Sequence, residues 1–371
     1  MISKLIFGFA LLCNMVSFAQ TTKIVCDSVT FKSTDGKITF GGTFSKPEGK
    51  KSFPTVVIVS GTGKQDRDGT MAGHKIFLEI ASYLNKNGIA VLRTDDRGTG
   101  KTNGTYETAT TKDFADDALA AIAYLHTRTD INRAKIGLMG HSEGGAVISL
   151  AAVRSKEVKF LISLAGLAMG GFDAQIKQNE DLVAHSALPD YDKKRSNDIN
   201  RIMFETALRY ANSDSMEVKL NDAYKRWKLK DDIYFKTLNI QFDHFRFPVY
   251  SFINNSTGPW YRYFIQYDAK RTIAKIKVPI LALNGDKDLM VAADENLSNW
   301  KNYSLTGGNK KVTTMKLPGL NHLFLACVTC DNAEISKIKT GFSEDALLII
   351  KNWIKKRFSN SGNIKISIVN D

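Results

Sequence analysis

Ser142 lies in Gly140-His141-Ser142-Glu143-Gly144, between an apolar β-leaning run (Ile136 to Met139) and an Ala/Val/Ile/Leu run (Ala146 to Val153). Strand, sharp turn and helix in that order form a nucleophile elbow, which holds a serine hydroxyl exposed and strained, with small residues on both sides. The hydroxyl then stands at a helix N-terminus, where N–H groups and the dipole favour developing negative charge. Such a serine needs a base to take its proton, and the base needs a carboxylate to orient it. With an elbow of this type the three follow the chain order Ser, then Asp or Glu, then His.

Of the 6 histidines, His185, His244 and His322 follow Ser142. The first two fall in a segment that reads as an insertion, leaving His322 as the expected base. It sits in Leu317-Pro318-Gly319-Leu320-Asn321-His322, a Gly/Asn turn just beyond a β-type run (Lys311 to Leu317). The acid is sought after the buried-strand run Val278 to Gly285, which ends in Asp286-Lys287-Asp288. A Gly-x-x-Asp pattern favours Asp288, with Asp286 as the close rival. The acid would hold the imidazole in the tautomer that accepts the Ser142 proton.

Acyl transfer also requires two N–H donors for the oxyanion. The backbone N–H of Glu143, directly after the nucleophile, is one candidate. Thr62 is the other, in the loop Gly61-Thr62-Gly63-Lys64-Gln65-Asp66-Arg67-Asp68-Gly69 that follows the strand Thr55 to Ser60. The alternative for that loop is a solvated Gly-rich turn. The Glu143 carboxylate is expected to take no chemical step and to face solvent or a polar neighbour.

These residues must be placed by regular elements. Val29 to Phe31 and Ile38 to Phe44, joined through Asp35-Gly36, suggest an opening hairpin. Strands at 55–60, 89–95, 135–140 and 158–164 then alternate with helices at 74–86, 113–127 and 143–154. Strands resume at 278–284 and 311–317, and Phe342 to Lys356 closes the core as a helix. Alternation of this kind implies an α/β fold, a mostly parallel sheet with helices on both faces. In such a sheet, sites form beyond the C-terminal strand ends, where Ser142, Asp288, His322 and the Gly61 loop fall. Residues 167–271 interrupt the pattern and read as a helical cap, with helical spacing in Leu182 to Leu188, Ile199 to Tyr210 and Val218 to Leu229. Its aromatics Phe245, Phe247, Tyr250, Phe252, Trp260, Tyr261, Tyr263 and Phe264 are packing or pocket residues. Trp260, Tyr261 and Phe264 are taken as the pocket candidates.

Five stretches carry a family resemblance. They are Ser60-Gly61-Thr62-Gly63-x-Gln65-Asp66-Arg67-Asp68-Gly69, Asp95-Asp96-Arg97-Gly98, Gly140 to Gly145, Leu283 to Asp288 and Leu317 to His322. Together they resemble an α/β-hydrolase of the secreted esterase group allied to dienelactone hydrolases and serine aminopeptidases. Ser60 departs from the His found before the oxyanion loop in many of these proteins, and Cys327-Val328-Thr329-Cys330 is no part of the pattern. The resemblance implies hydrolysis of small acyl esters, with peptidase or amidase activity as the alternative. A thioesterase, a lactonase or a catalytically inactive binding protein on the same scaffold would share most of these features.

Composition sets the remaining limits. With 371 residues and 43% hydrophobic content, one core domain plus an insertion is expected. The division is 24–166 and 272–357 for the core, 167–271 for the cap, and 358–371 for a C-terminal tail. Met1-Ile2-Ser3-Lys4, the apolar run Leu5 to Val16 and Ser17-Phe18-Ala19 read as a signal peptide over 1–19. Export to the periplasm or beyond is therefore expected, and Leu12 before Cys13 argues against lipoprotein processing. Cleavage leaves Cys26, Cys327 and Cys330, the last two close enough in sequence for a small disulfide loop. No ligand spacing points to a metal. The net charge of +13 is spread along the chain, so a nucleic-acid stripe is not expected. Gly100-Lys101-Thr102 fails as a P-loop because Asp95 stands at its first glycine, and Gly98-Thr99-Gly100 fails as a dinucleotide fingerprint at Asn103. No cofactor and no stable membrane insertion are implied. The expected partner is a small-molecule ester.

Overall fold

The computed structural model describes residues 23–49 and 52–358. The expected signal peptide and Cys13 lie outside the described residues. So does the expected tail, except that Phe358 is the last residue of the closing helix.

Eight strands form one sheet: β1 (Ile24–Lys32), β2 (Thr39–Pro47), β3 (Phe53–Val59), β4 (Ala90–Thr94), β5 (Ile131–His141), β6 (Leu161–Leu164), β7 (Ile280–Gly285) and β8 (Val312–Leu317). Their spatial order is β1-β2-β4-β3-β5-β6-β7-β8. The opening hairpin is antiparallel, and β2 also runs antiparallel to β4. From β4 to β8 every pairing is parallel. This is the α/β-hydrolase sheet.

Side chains alternate across it, as the strand period of two requires. Val57, Leu138 and Ala282 face one apolar layer, which packs on α2 (Thr111–Thr127), α3 (Gly144–Arg154) and α10 (Ala293–Thr306). Val56, Met139 and Leu283 face the other, which packs on α1 (Ile76–Lys86) and the closing helix α11 (Glu344–Phe358). Burial on both faces explains why the central strands read as continuous apolar runs. Helix α1 starts two residues later than expected, because His74–Lys75 pairs with Thr70–Met71 in a short hairpin. Helix α10 was not expected. Its buried face is only Asn296, Leu297, Trp300 and Ser304, too polar to stand out as a stripe.

Between β6 and β7 the chain leaves the sheet for α4 (Gly171–His185), α5 (Asp190–Arg209), α6 (Met216–Thr237), α7 (Val249–Ser256) and α8 (Pro259–Ile265). The short α9 (Ala269–Ile273) leads back to the sheet. The helix expected over 182–188 ends at His185, since Pro189 disfavours helical backbone before it and Ser186 caps Val183 instead. Ile199, Met203 and Ala207 on α5 meet Met216, Leu220, Ala223 and Trp227 on α6 in a separate apolar cluster. Arg195 ties this unit together, with bidentate pairs to Asp231 and Asp243 and a further bond to Asp192. A buried guanidinium is tolerable only with such complete pairing. Among the described residues, no helix is long and apolar enough to cross a membrane.

Candidate active site

Ser142 sits between β5 and α3 with φ +57°, in the left-handed region that costs a non-glycine residue roughly 1–3 kcal/mol. Neighbouring backbone holds it there. Its N–H donates to the Leu164 carbonyl at 3.1 Å, and its own carbonyl accepts from Leu167 N–H at 2.9 Å. The turn closes only on glycines, since a Cβ at position 140 would lie 2.2 Å from the Gly144 carbonyl oxygen. That is a steric requirement, and it explains the spacing of the motif.

His322 Nδ1 and Asp288 Oδ2 are 2.8 Å apart, with the Asp288 side chain fully buried and the His322 side chain partly exposed. Asp288 Oδ1 accepts from the N–H groups of Met290 and Val291 at 2.8 and 2.9 Å. These bonds fix the orientation of the carboxylate. The rival Asp286 is exposed and accepts from Gly319 N–H at 2.7 Å, so it braces the His322 loop and does not meet the imidazole. The Asn321 side chain tightens that loop by accepting from Leu323 and Leu325 N–H. A disulfide between Cys327 and Cys330 follows it.

The Gly61 loop lies against the elbow. A Cβ at Gly61 would come within 2.7 Å of the Ser142 Cβ. Ionic and hydrogen bonds hold this loop to β4 and the segment after it. Asp95 pairs with the Arg67 guanidinium, Asp68 pairs with Arg93, and Asp96 accepts from Ser60 Oγ and Gln65 N–H at 2.7 and 2.9 Å. Burial pushes the Asp96 carboxyl up to about 7 despite these two donors. The Gly63 N–H donates to the Tyr106 hydroxyl at 2.8 Å. Among the described residues, the N–H groups of Thr62 and Glu143 meet no hydrogen-bond acceptor.

Ser142 and His322 line one cavity of about 340 Å³, together with Gly61, Thr62 and Glu143. Asp288 stands behind His322. The cap supplies Ala174, Gln175 and Gln178 from α4 and Trp260 and Phe264 from α8. Trp260 and Phe264 stack with centroids 5.0 Å apart. Tyr261, expected at the pocket, corrects that expectation. It is buried in the cap's own core against Phe252, because the helical turn carries positions 260 and 264 to one face and 261 to another. Phe245, Phe247 and Phe252 also pack in that core, Tyr250 is exposed, and Tyr263 is half-buried away from the cavity lining.

Of the two settings expected for the Glu143 carboxylate, solvent or a polar neighbour, the structure has the second. Glu143 is 3% exposed. Thr111 Oγ1 and Trp260 Nε1 donate to its Oε1 at 2.7 and 2.8 Å, and Thr62 Oγ1 donates to its Oε2 at 2.8 Å. Burial pushes its pKa above the usual carboxylate range. Sequence reasoning missed this cluster, as it missed Leu167, Met290 and Val291 in the cavity wall. Met290 and Val291 could have been found from their places two and three residues after Asp288, where an aspartate commonly gathers N–H donors.

Comparison with known proteins bears on the fold. Residues 55–201 match the family model described as serine aminopeptidase, S33. Esterase EstD of Thermotoga maritima is 38% identical over 104 residues, which are 28% of this chain and 25% of that protein. The chain thus spans about a quarter of the length of the curated relative it matches. Among solved structures, an esterase of Pyrococcus furiosus superposes with TM-score 0.55 at 15% identity, covering 91% of this chain and 92% of that one. The α/β hydrolase GrgF of a Penicillium species gives TM-score 0.52 at 18% identity, covering 91% and 100%. Sheet order and structural similarity show the α/β-hydrolase fold, and residues 55–201 are similar to the serine aminopeptidase, S33 family.

Proposed function

We propose that the protein is a serine hydrolase that cleaves carboxylic esters of small to medium acyl chains through an acyl-enzyme on Ser142. The carrying observation is the shared cavity of Ser142 and His322, with His322 hydrogen-bonded to a fully buried Asp288. His322 takes the Ser142 proton as the hydroxyl attacks the ester carbonyl. The N–H groups of Glu143 and Thr62 receive the oxyanion. His322 then returns the proton to the departing alkoxide, and water repeats the sequence on the acyl-enzyme. Asp288 keeps the Nδ1 proton in place, so that Nε2 is free to act as the base.

A peptidase of the S33 type would need to hold a substrate amine. Glu143 is the one carboxylate lining the cavity among the described residues, and it already accepts three hydrogen bonds. Apart from the histidines, the rest of the lining is apolar, hydroxyl or neutral amide, which suits an uncharged acyl group. The Cys327–Cys330 disulfide supports the export that the N-terminal residues suggest, since such bonds persist in oxidising compartments. The test is turnover of nitrophenyl esters of graded chain length against aminoacyl-anilides, on wild type and Ser142→Ala. Ester hydrolysis lost in Ser142→Ala is the expected result. Faster anilide cleavage would favour the peptidase, and ester turnover by Ser142→Ala would overturn the reading.

A further inference from the structure

We propose that the Glu143 side chain is a positioning residue: it locks the oxyanion loop and the cap wall in register with Ser142. This rests on the part of the proposed function that makes Ser142 the nucleophile of the cavity, not on the ester as substrate.

Three donors from separate parts of the chain converge on one carboxyl. Thr62 belongs to the loop after β3, Thr111 to the first turn of α2, and Trp260 to cap helix α8. The residue that carries this carboxyl also carries one proposed oxyanion N–H, and its Oε2 holds the side chain of the residue carrying the other. Its Oε1 holds the indole that stacks on Phe264 in the cavity wall. A carboxyl buried to this degree is costly unless its oxygens are satisfied, and here the satisfying groups are the parts that must be aligned. Burial raises its pKa and so disfavours a negative charge beside a developing oxyanion. The Thr62 contact survives either protonation state, because a hydroxyl can donate or accept. For the same reason a glutamine fits: its oxygen can take the Thr111 and Trp260 donors while its amide donates to Thr62 Oγ1.

The test compares Glu143→Leu, Glu143→Gln, Thr62→Val, Thr62→Ser and the double variant Thr62→Val/Glu143→Leu. The readouts are the rate constant for fluorophosphonate labelling of Ser142 in folded protein, and kcat and KM on nitrophenyl acetate. Glu143→Leu and Thr62→Val are each expected to slow labelling about 10–100-fold, the cost of a small misplacement of catalytic groups. The double variant should be no slower than the worse single variant, since both break one strut. Thr62→Ser and Glu143→Gln should recover most of the loss, and kcat should fall with KM little changed. Multiplying losses, or wild-type labelling with a lowered melting temperature alone, would overturn the proposal. If Glu143→Leu does not fold, Thr62→Val and Trp260→Phe decide the matter, and wild-type labelling in both would overturn it. Wild-type protein that is labelled but turns over no ester would sink the esterase reading and leave this inference standing.

Discussion

His141 Nε2 donates to the backbone carbonyl of His322 at 2.9 Å, and the two rings lie 4.7 Å apart. The residue before the proposed nucleophile thus holds the backbone of the proposed base. Donation places the proton of His141 on Nε2, while its Nδ1 is buried with no hydrogen-bond partner among the described residues, so the ring is neutral. Burial, with the adjacent His322, pushes its pKa down to about 3.

A pH dependence of stability follows. The unfolded chain takes up a proton on this histidine near the ordinary value of 6.5, whereas the folded protein does so only near 3. Between those values the unfolded state binds more protons, so stability is full above the upper value and is lost as pH falls through the window. His141→Gln keeps a donor and cannot titrate. Urea unfolding at about pH 7 and about pH 4.5 should show wild type losing roughly 1–3 kcal/mol more than the variant. Equal losses would contradict the neutral buried ring.

Asp288 and Asp286 should separate sharply. Asp288→Asn should lower kcat by about 10³–10⁴-fold, because an amide cannot hold the required tautomer as a carboxylate does. Asp286→Asn retains an acceptor for Gly319 N–H at an exposed site and should cost less than roughly tenfold, within the energy of one hydrogen bond. The check is steady-state hydrolysis of nitrophenyl butyrate by both variants. A larger loss at Asp286 would reverse the assignment.

Gly61→Ala introduces a methyl 2.7 Å from the Ser142 Cβ and 3.0 Å from the His141 carbonyl oxygen. The loop or the elbow must shift, and kcat/KM on the same ester should fall by about 10²-fold or more. Activity within a few-fold of wild type would show that the loop does not need its close approach to Ser142.

Chain order and strand ends made much of this arrangement legible. Ser142, Asp288 and His322 each follow a β-type run, and parallel strands bring such C-terminal ends to one edge. What stayed hidden depends on contacts between segments distant in the chain. The partners of the Glu143 carboxyl are 81, 32 and 117 residues away, and no local pattern joins Thr62, Thr111 and Trp260. Trp260 and Phe264 were separable from Tyr261 by helical phase, but only once α8 was known to span Pro259–Ile265. Helix α10 escaped because a face of Asn296, Leu297, Trp300 and Ser304 lacks an apolar stripe, and Trp300 is anchored through Nε1 to the Gly166 carbonyl.

The central claim is that Ser142 is the nucleophile, activated by His322. The direct measurement is mass-spectrometric mapping of the adduct formed by a fluorophosphonate on the folded protein. One phosphonyl group on Ser142 is expected, absent in Ser142→Ala and slowed by at least about 10³-fold in His322→Ala. A folded wild-type protein that takes no label, or takes it on another residue, would contradict the claim.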